Sequence, residues 1–178
     1  MAVLTKGNFS INLGIFKVSG DLSDDDRQCA WELYTEIVTR LAVHGRPDSG
    51  QPIKEQFKGE LYMESLTSLY SFFGEMRGIM RKFPVGKIEC PNEYHLGKFT
   101  CEIMNNILRP FLEKWQGDFR HWYDVTSRKR SDDSPFLLQD DYPELDAFIE
   151  DWSNLRSLMQ SVAKTLANEY QLVHSTGN

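Results

Sequence analysis

Cys90, His95 and Cys101 fall within twelve residues, and thiolate plus imidazole is a donor set that zinc takes. No fourth donor accompanies them and their spacing matches no common knuckle. Structural cysteines are the expectation, and no metal is assigned. Asp118-Phe-Arg-His121 has a carboxylate and an imidazole at i, i+3. A di-iron bundle needs such a pair on each of two helices, so one copy builds no centre. Arg40 and His44 are separated by three residues and Arg109 and His121 by eleven, neither being the spacing of the helical HEPN ribonucleases. Gly-x-Gly-x-x-Gly, Gly-x-x-x-x-Gly-Lys-Ser/Thr and Gly-x-Ser-x-Gly are all absent, which removes the usual support for nucleotide-handling and hydrolase chemistry. No catalytic residue and no cofactor is assigned.

Two basic clusters remain. Arg77, Arg81 and Lys82 share helical spacing, and Arg128-Lys129-Arg130 stand together further on. With Arg109 they are the candidates for pairing with phosphate through charge-assisted hydrogen bonds. Each also has a plain reading, as cations at a helix C-terminus or as partners for the acidic run that follows Arg130. The aromatic pairs Tyr70/Phe72 and Trp122/Tyr123 place rings on more than one helix face. One buried stripe does not require that, so partner contact stands beside core filling.

The 178 residues suit one domain over 1–178, with 40% hydrophobic and 26% charged side chains and enough chain for a real core. Basic and acidic side chains number 20 and 26, a net charge of −6. From Ser131 onward nine acidic residues face only Arg156 and Lys164. That end repels a phosphate backbone, disfavouring nucleic acid there, and could equally steer a basic partner. No secretory leader pattern or membrane-length apolar run is present, and three cysteines form no framework. A cytoplasmic protein is expected.

The elements that must position these residues follow from periodicity. Phe9, Ile11, Leu13 and Ile15 alternate with polar or small residues, as in a half-buried strand, with a bulge at Gly14 before Phe16 and Val18. Val3-Leu4 can pair with it through a turn at Lys6-Gly7-Asn8, giving a β element over 1–20 whose unpaired edge must lie on helices or on another chain. Ser23 and the aspartates after it start a first helix carrying Ala30, Tyr34, Ile37, Val38 and Leu41. Residues 45–59 read as loop. A second helix over 60–83 carries Leu66, Leu69, Tyr70, Phe73, Met76, Met80 and Phe83. A third over 96–124 carries Phe99, Ile103, Ile107, Phe111, Trp115, Phe119 and Trp122, with a kink or break expected near Arg109 because Pro110 lacks a backbone donor. Residues 125–141 read as a mobile linker. After Pro143 a fourth helix carries the heptad seam Phe148, Trp152, Leu155, Met159, Val162 and Leu166. The fold expected is all-α, four-helix-bundle-like, with a kinked third helix and a short N-terminal β strand or hairpin.

At Ser65-Leu-Thr-Ser-Leu-Tyr-Ser-Phe-Phe73 and Ile107-Leu-Arg-Pro-Phe-Leu-Glu-Lys-Trp115 the sequence resembles uncharacterised bacterial helical proteins associated with antiviral conflict loci. The resemblance covers the two middle helices and brings no catalytic motif. It implies a small cytosolic accessory or adaptor rather than a named enzyme. With the chemistry motifs absent, the expectation is a non-enzymatic module that binds a protein partner through aromatic and acidic surfaces, in antiviral defence, with self-association into a homo-oligomer also open. The competing expectation is a phosphate-ligand or nucleic-acid sensing module, nuclease-like, in which the arginines converge.

Overall fold

A computed structural model describes residues 3–12, 24–46, 52–83 and 96–172. Strands β1 (Val3–Lys6) and β2 (Phe9–Asn12) form an antiparallel hairpin with Lys6 opposite Phe9, and Gly7 takes the positive φ of the turn. The rest is helical: α1 (Asp24–Val38), α2 (Leu41–His44), α3 (Ile53–Gln56), α4 (Tyr62–Lys82), α5 (Leu96–Ile103), a π turn (Met104–Leu108), α6 (Arg109–Lys129), α7 (Pro135–Asp140) and α8 (Leu145–Glu169). The chain is mostly helical, as an all-α protein is, and among the described residues no helix is long and apolar enough to cross a membrane.

The heptad seam of α8 is entirely buried. Its stripe reaches α1 and α2 on one side and α6 on the other. Trp115 and Phe119 of α6 meet Asp151 and Phe148 of α8, so the order of partners runs backward along α8 and the two helices are antiparallel. α1 runs antiparallel to α4, with Arg40 donating to the Ser68 carbonyl at 3.3 Å and Glu32 pairing with Lys82 at 3.3 Å. The hairpin lies across α8 and the π turn. Phe9 is buried, its ring 6.5 Å from that of Phe111, so of the two covers open to the β element the helices of its own chain supply one. The proposed bulge at Gly14, the residues Phe16, Val18 and Ser23, and the Cys90/His95 pair lie outside the described residues.

Four expectations are corrected or refined. On α4 the buried face is Tyr62, Leu66, Leu69, Phe72, Met76 and Ile79, whereas Tyr70 is 59% exposed and Phe73 and Met80 are only partly covered. Phe72-Phe73 and Ile79-Met80 are adjacent apolar pairs, and a stripe drawn through either member keeps helical spacing. The face is then undecided by one residue, about 100°. In the third helix the irregularity expected near Arg109 takes the form of a π turn, and the chain does not break at Pro110. The chain stays helical from Leu96 to Lys129 with the π turn just before the proline, where wider i→i+5 bonding relaxes the clash that Pro imposes on an α turn. The same turn offsets part of the drift of the stripe. Phe99, Ile103, Ile107, Phe111, Trp115 and Phe119 recur every four residues and are all buried, though on a regular α-helix that spacing drifts by about 40° per step. Finally, the supposed linker 125–141 holds the last turn of α6 and all of α7. Arg130 ties its ends, bonding Asp133 at 2.5 Å and Asp141 at 2.6 Å. The loop 45–59 likewise contains α3.

Leu155 sits fully buried in the seam, so Leu155→Ala should destabilise the fold by about 2–5 kcal/mol in urea unfolding; an unchanged midpoint would place the seam at a surface. Burial lowers the pKa of His44 from its ordinary value, against an opposing backbone hydrogen bond at Gly45. Below about pH 6.5 the unfolded chain then binds the proton more readily than the folded one, and stability falls with pH through that range. Wild type should lose more of its urea midpoint between about pH 7.5 and pH 5.5 than His44→Gln does.

Candidate functional site

Glu60 and Arg156 form an ion pair inside the protein, with side chains 1% and 4% exposed. The guanidinium donates to both carboxylate oxygens, Nη1 to Oε1 at 3.1 Å and Nη2 to Oε2 at 2.5 Å. It also lies over the Phe57 ring, 4.2 Å from the centroid, with Trp152 at 5.3 Å on another side. The Ala42 carbonyl accepts from Trp152 Nε1 at 2.7 Å and Arg156 Nε at 3.4 Å. Gly45, at φ 71°, passes so close that a Cβ there would stand 2.8 Å from Arg156 Cδ. Every member is satisfied, so this centre holds elements together rather than presenting a reactive group. Its reach extends to α7, because the buried Gln139 side chain donates to the Glu60 carbonyl at 2.7 Å and accepts from the Tyr62 amide at 2.9 Å.

The placement of α7 shapes a surface site nearby. The Tyr62 ring at the start of α4 lies 6.0 Å from that of Phe119. α4 and α6 are antiparallel, so the ten residues of α6 after Phe119 run about 15 Å past the beginning of α4. This overhang is met by α7 and by the turn that precedes α8. Asp118, His121, Trp122 and Val125 fall at i, i+3, i+4 and i+7 and therefore on one face of α6. With Thr126, Tyr142, Pro143 and Glu144 they line a cleft of about 350 Å³. The Tyr142 hydroxyl donates to the Asp118 carboxylate, and its ring packs 5.1 Å from Trp122 and 5.0 Å from Phe119. Burial, and next that bond to Asp118, push the Tyr142 pKa up, so the phenol remains a donor at neutral pH. Asp118 and Glu144 give the cleft two carboxylates, and no Lys or Arg lines it.

Two further concavities differ in charge. One of about 500 Å³ between α3 and α7 has Phe57, Tyr62 and Phe136 in its walls and balances Lys54 and Lys58 against Glu55 and Asp140. One of about 330 Å³ beside Trp31 balances Asp24 against Arg27.

The basic candidates do not share one place. Arg77, Arg81 and Lys82 close α4, where Lys82 pairs with Glu32. Arg128 and Lys129 close α6, and Arg130 is taken up by Asp133 and Asp141. Measured from the Tyr62–Phe119 contact, Arg77 lies about 22 Å one way and Arg128 about 14 Å the other. Arg109 begins α6 about 15 Å from that contact on the Arg77 side, and about 28 Å from Arg128 along the same helix. None of these seven residues lines any of the three concavities. Among the aromatic candidates, Trp122 lines the cleft, Tyr123 stacks on Phe119 at 5.9 Å, and Tyr70 is exposed on α4. Phe72 is in the core and offers no surface, which corrects its assignment to partner contact. The sequence singles out neither Tyr142 nor Phe136 nor Leu137, and it offers Asp118 only through its metal-like spacing to His121.

Burial, with Glu32 and Asp26 nearby, raises the Cys29 thiol to about 12, leaving it unreactive at neutral pH, while Cys101 is exposed. Among the described residues no three His, Cys, Asp or Glu side chains form a set that could hold a metal ion. No protein family, curated protein or solved structure matches this chain.

Replacing Arg156 with Met would leave the Glu60 carboxylate buried without its cation, at a cost of about 3–5 kcal/mol, whereas Glu60→Leu combined with Arg156→Met should recover most of that loss. Urea unfolding of the two single variants and the double variant checks this; strictly additive losses would show that the pair is not coupled.

Proposed function

We propose that this protein is a non-enzymatic helical interaction module, an adaptor or accessory built on a four-helix-bundle-like scaffold of α1, α4, α5–α6 and α8, which docks a partner protein at the overhanging end of α6. The observation that carries this reading is the exposure of Val125 on α6 and of Phe136 and Leu137 on α7. Large apolar side chains left in water beside a formed concavity are what a docking surface offers. The resemblance at residues 65–73 and 107–115 supports placing such an adaptor in the cytoplasm of a bacterium, in an antiviral defence system. The competing phosphate-sensing reading calls for arginines gathered in one concave site. Separation of Arg77 and Arg81 from Arg128–Arg130 at opposite ends supports the docking reading instead.

Affinity purification of the tagged protein from its native cell should bring down a stoichiometric protein partner. Phe136→Ser with Leu137→Ser should release that partner while leaving the melting temperature nearly unchanged, since exposed side chains contribute little to folding. Recovery of nucleic acid in place of a protein, or retention of the partner by the double variant, would overturn the proposal.

A further inference from the structure

We propose that the cleft between α6 and the Tyr142–Glu144 turn receives a lysine or arginine side chain of the partner protein. This deepens the interaction-module reading and rests on it. The cleft, about 350 Å³, lies at the small end of ligand sites and suits one long side chain rather than a broad surface. Its aromatic wall is the half-buried Trp122, braced by the buried Tyr142 ring at 59° between planes. Ring faces of this kind attract a cation that comes within about 6 Å of a centroid.

Charge selects the sign of the guest. Asp118 and Glu144 line the cleft with His121 and with no Lys or Arg, while the two other concavities each balance carboxylates with Lys or Arg. The neighbourhood reinforces this, because residues 118–146 hold eight acidic and four basic side chains. Of those four, Arg130 is bound by Asp133 and Asp141, and Arg120 reaches Thr67 on α4 at 3.4 Å. Asp118 is held in place by the Tyr142 hydroxyl, which occupies one of the roughly four lone-pair sites that a carboxylate offers. The remaining sites can accept from an ammonium or guanidinium whose hydrocarbon stem lies along Trp122 and Val125.

The test titrates the isotope-labelled full chain with acetylated pentalysine and penta-arginine, with pentaglutamate as the control, at low and physiological salt. Amide shifts should concentrate at residues 118–126 and 142–144 and at the Trp122 indole, and pentaglutamate should produce none. Trp122→Leu should weaken binding about tenfold. Glu144→Gln, a change at an exposed position that leaves the core intact, should weaken it about threefold. Shifts spread over the whole acidic surface, equal affinity in both variants, or no binding would overturn the cleft assignment. A concentration-dependent doubling of mass that Trp122→Leu abolishes would give the cleft to a second copy of this chain and also overturn it. A purified partner that stays bound to Trp122→Leu would sink the cleft while leaving the module reading intact. Intact, site-specific pentalysine binding with no cellular partner would sink the module reading instead.

Discussion

The pairing of Arg156 with Glu60 is the constraint around which the rest of the structure is arranged. Moving two opposite charges out of water costs several kcal/mol per ion, and only good geometry with further hydrogen bonds offsets it. Here both carboxylate oxygens are bonded, two aromatic rings cover the guanidinium, and the Ala42 carbonyl accepts from its Nε. The pair is therefore permissible only when α2, the turn ahead of α4, and α8 are all in position. Gly45 shows how tight the arrangement is, since a side chain there would strike Arg156.

From that centre the geometry propagates outward through specific bonds. Gln139 reads the backbone on both sides of Leu61, accepting from Tyr62 and donating to Glu60, and so fixes α7 relative to the ion pair. Residues just beyond α7 then bring the Tyr142 hydroxyl onto Asp118 of α6. The cleft is thus connected to the buried pair by two side chains and one short helix. A cleft held through rigid elements in this way is formed in advance, and a guest would have little ordering cost to meet there.

The aromatic core stiffens the same region. Tyr62, Phe111, Phe119, Phe148 and Trp152 form a network with centroid distances such as 5.2 Å for Phe119–Phe148 and 5.1 Å for Phe148–Trp152. Trp115 also satisfies its indole donor on Asp151 at 2.9 Å, where Lys114 supplies the counter-charge at 2.8 Å. Large rings bury much area with few rotatable bonds, so the overhang of α6 starts from a rigid base.

By itself the sequence determined the helical class, the seam of α8, the four-residue stripe of the third helix and the hairpin turn at Gly7, because each is a local periodicity or a local backbone demand. Periodicity reports which face is apolar and is silent on what covers it. The choice of Phe72 over Phe73, and of Ile79 over Met80, was decided by the helices that α4 meets. The Trp122/Tyr123 pair was legible as more aromatic surface than one stripe needs, and the spacing of Asp118, His121, Trp122 and Val125 along one face was there to be read. Their completion by Tyr142 and Glu144 was not, because those residues arrive through a reversal of the chain that α7 sets. Only the tertiary structure could join Glu60 to Arg156 across 96 positions, since no local pattern says which buried charge will meet which.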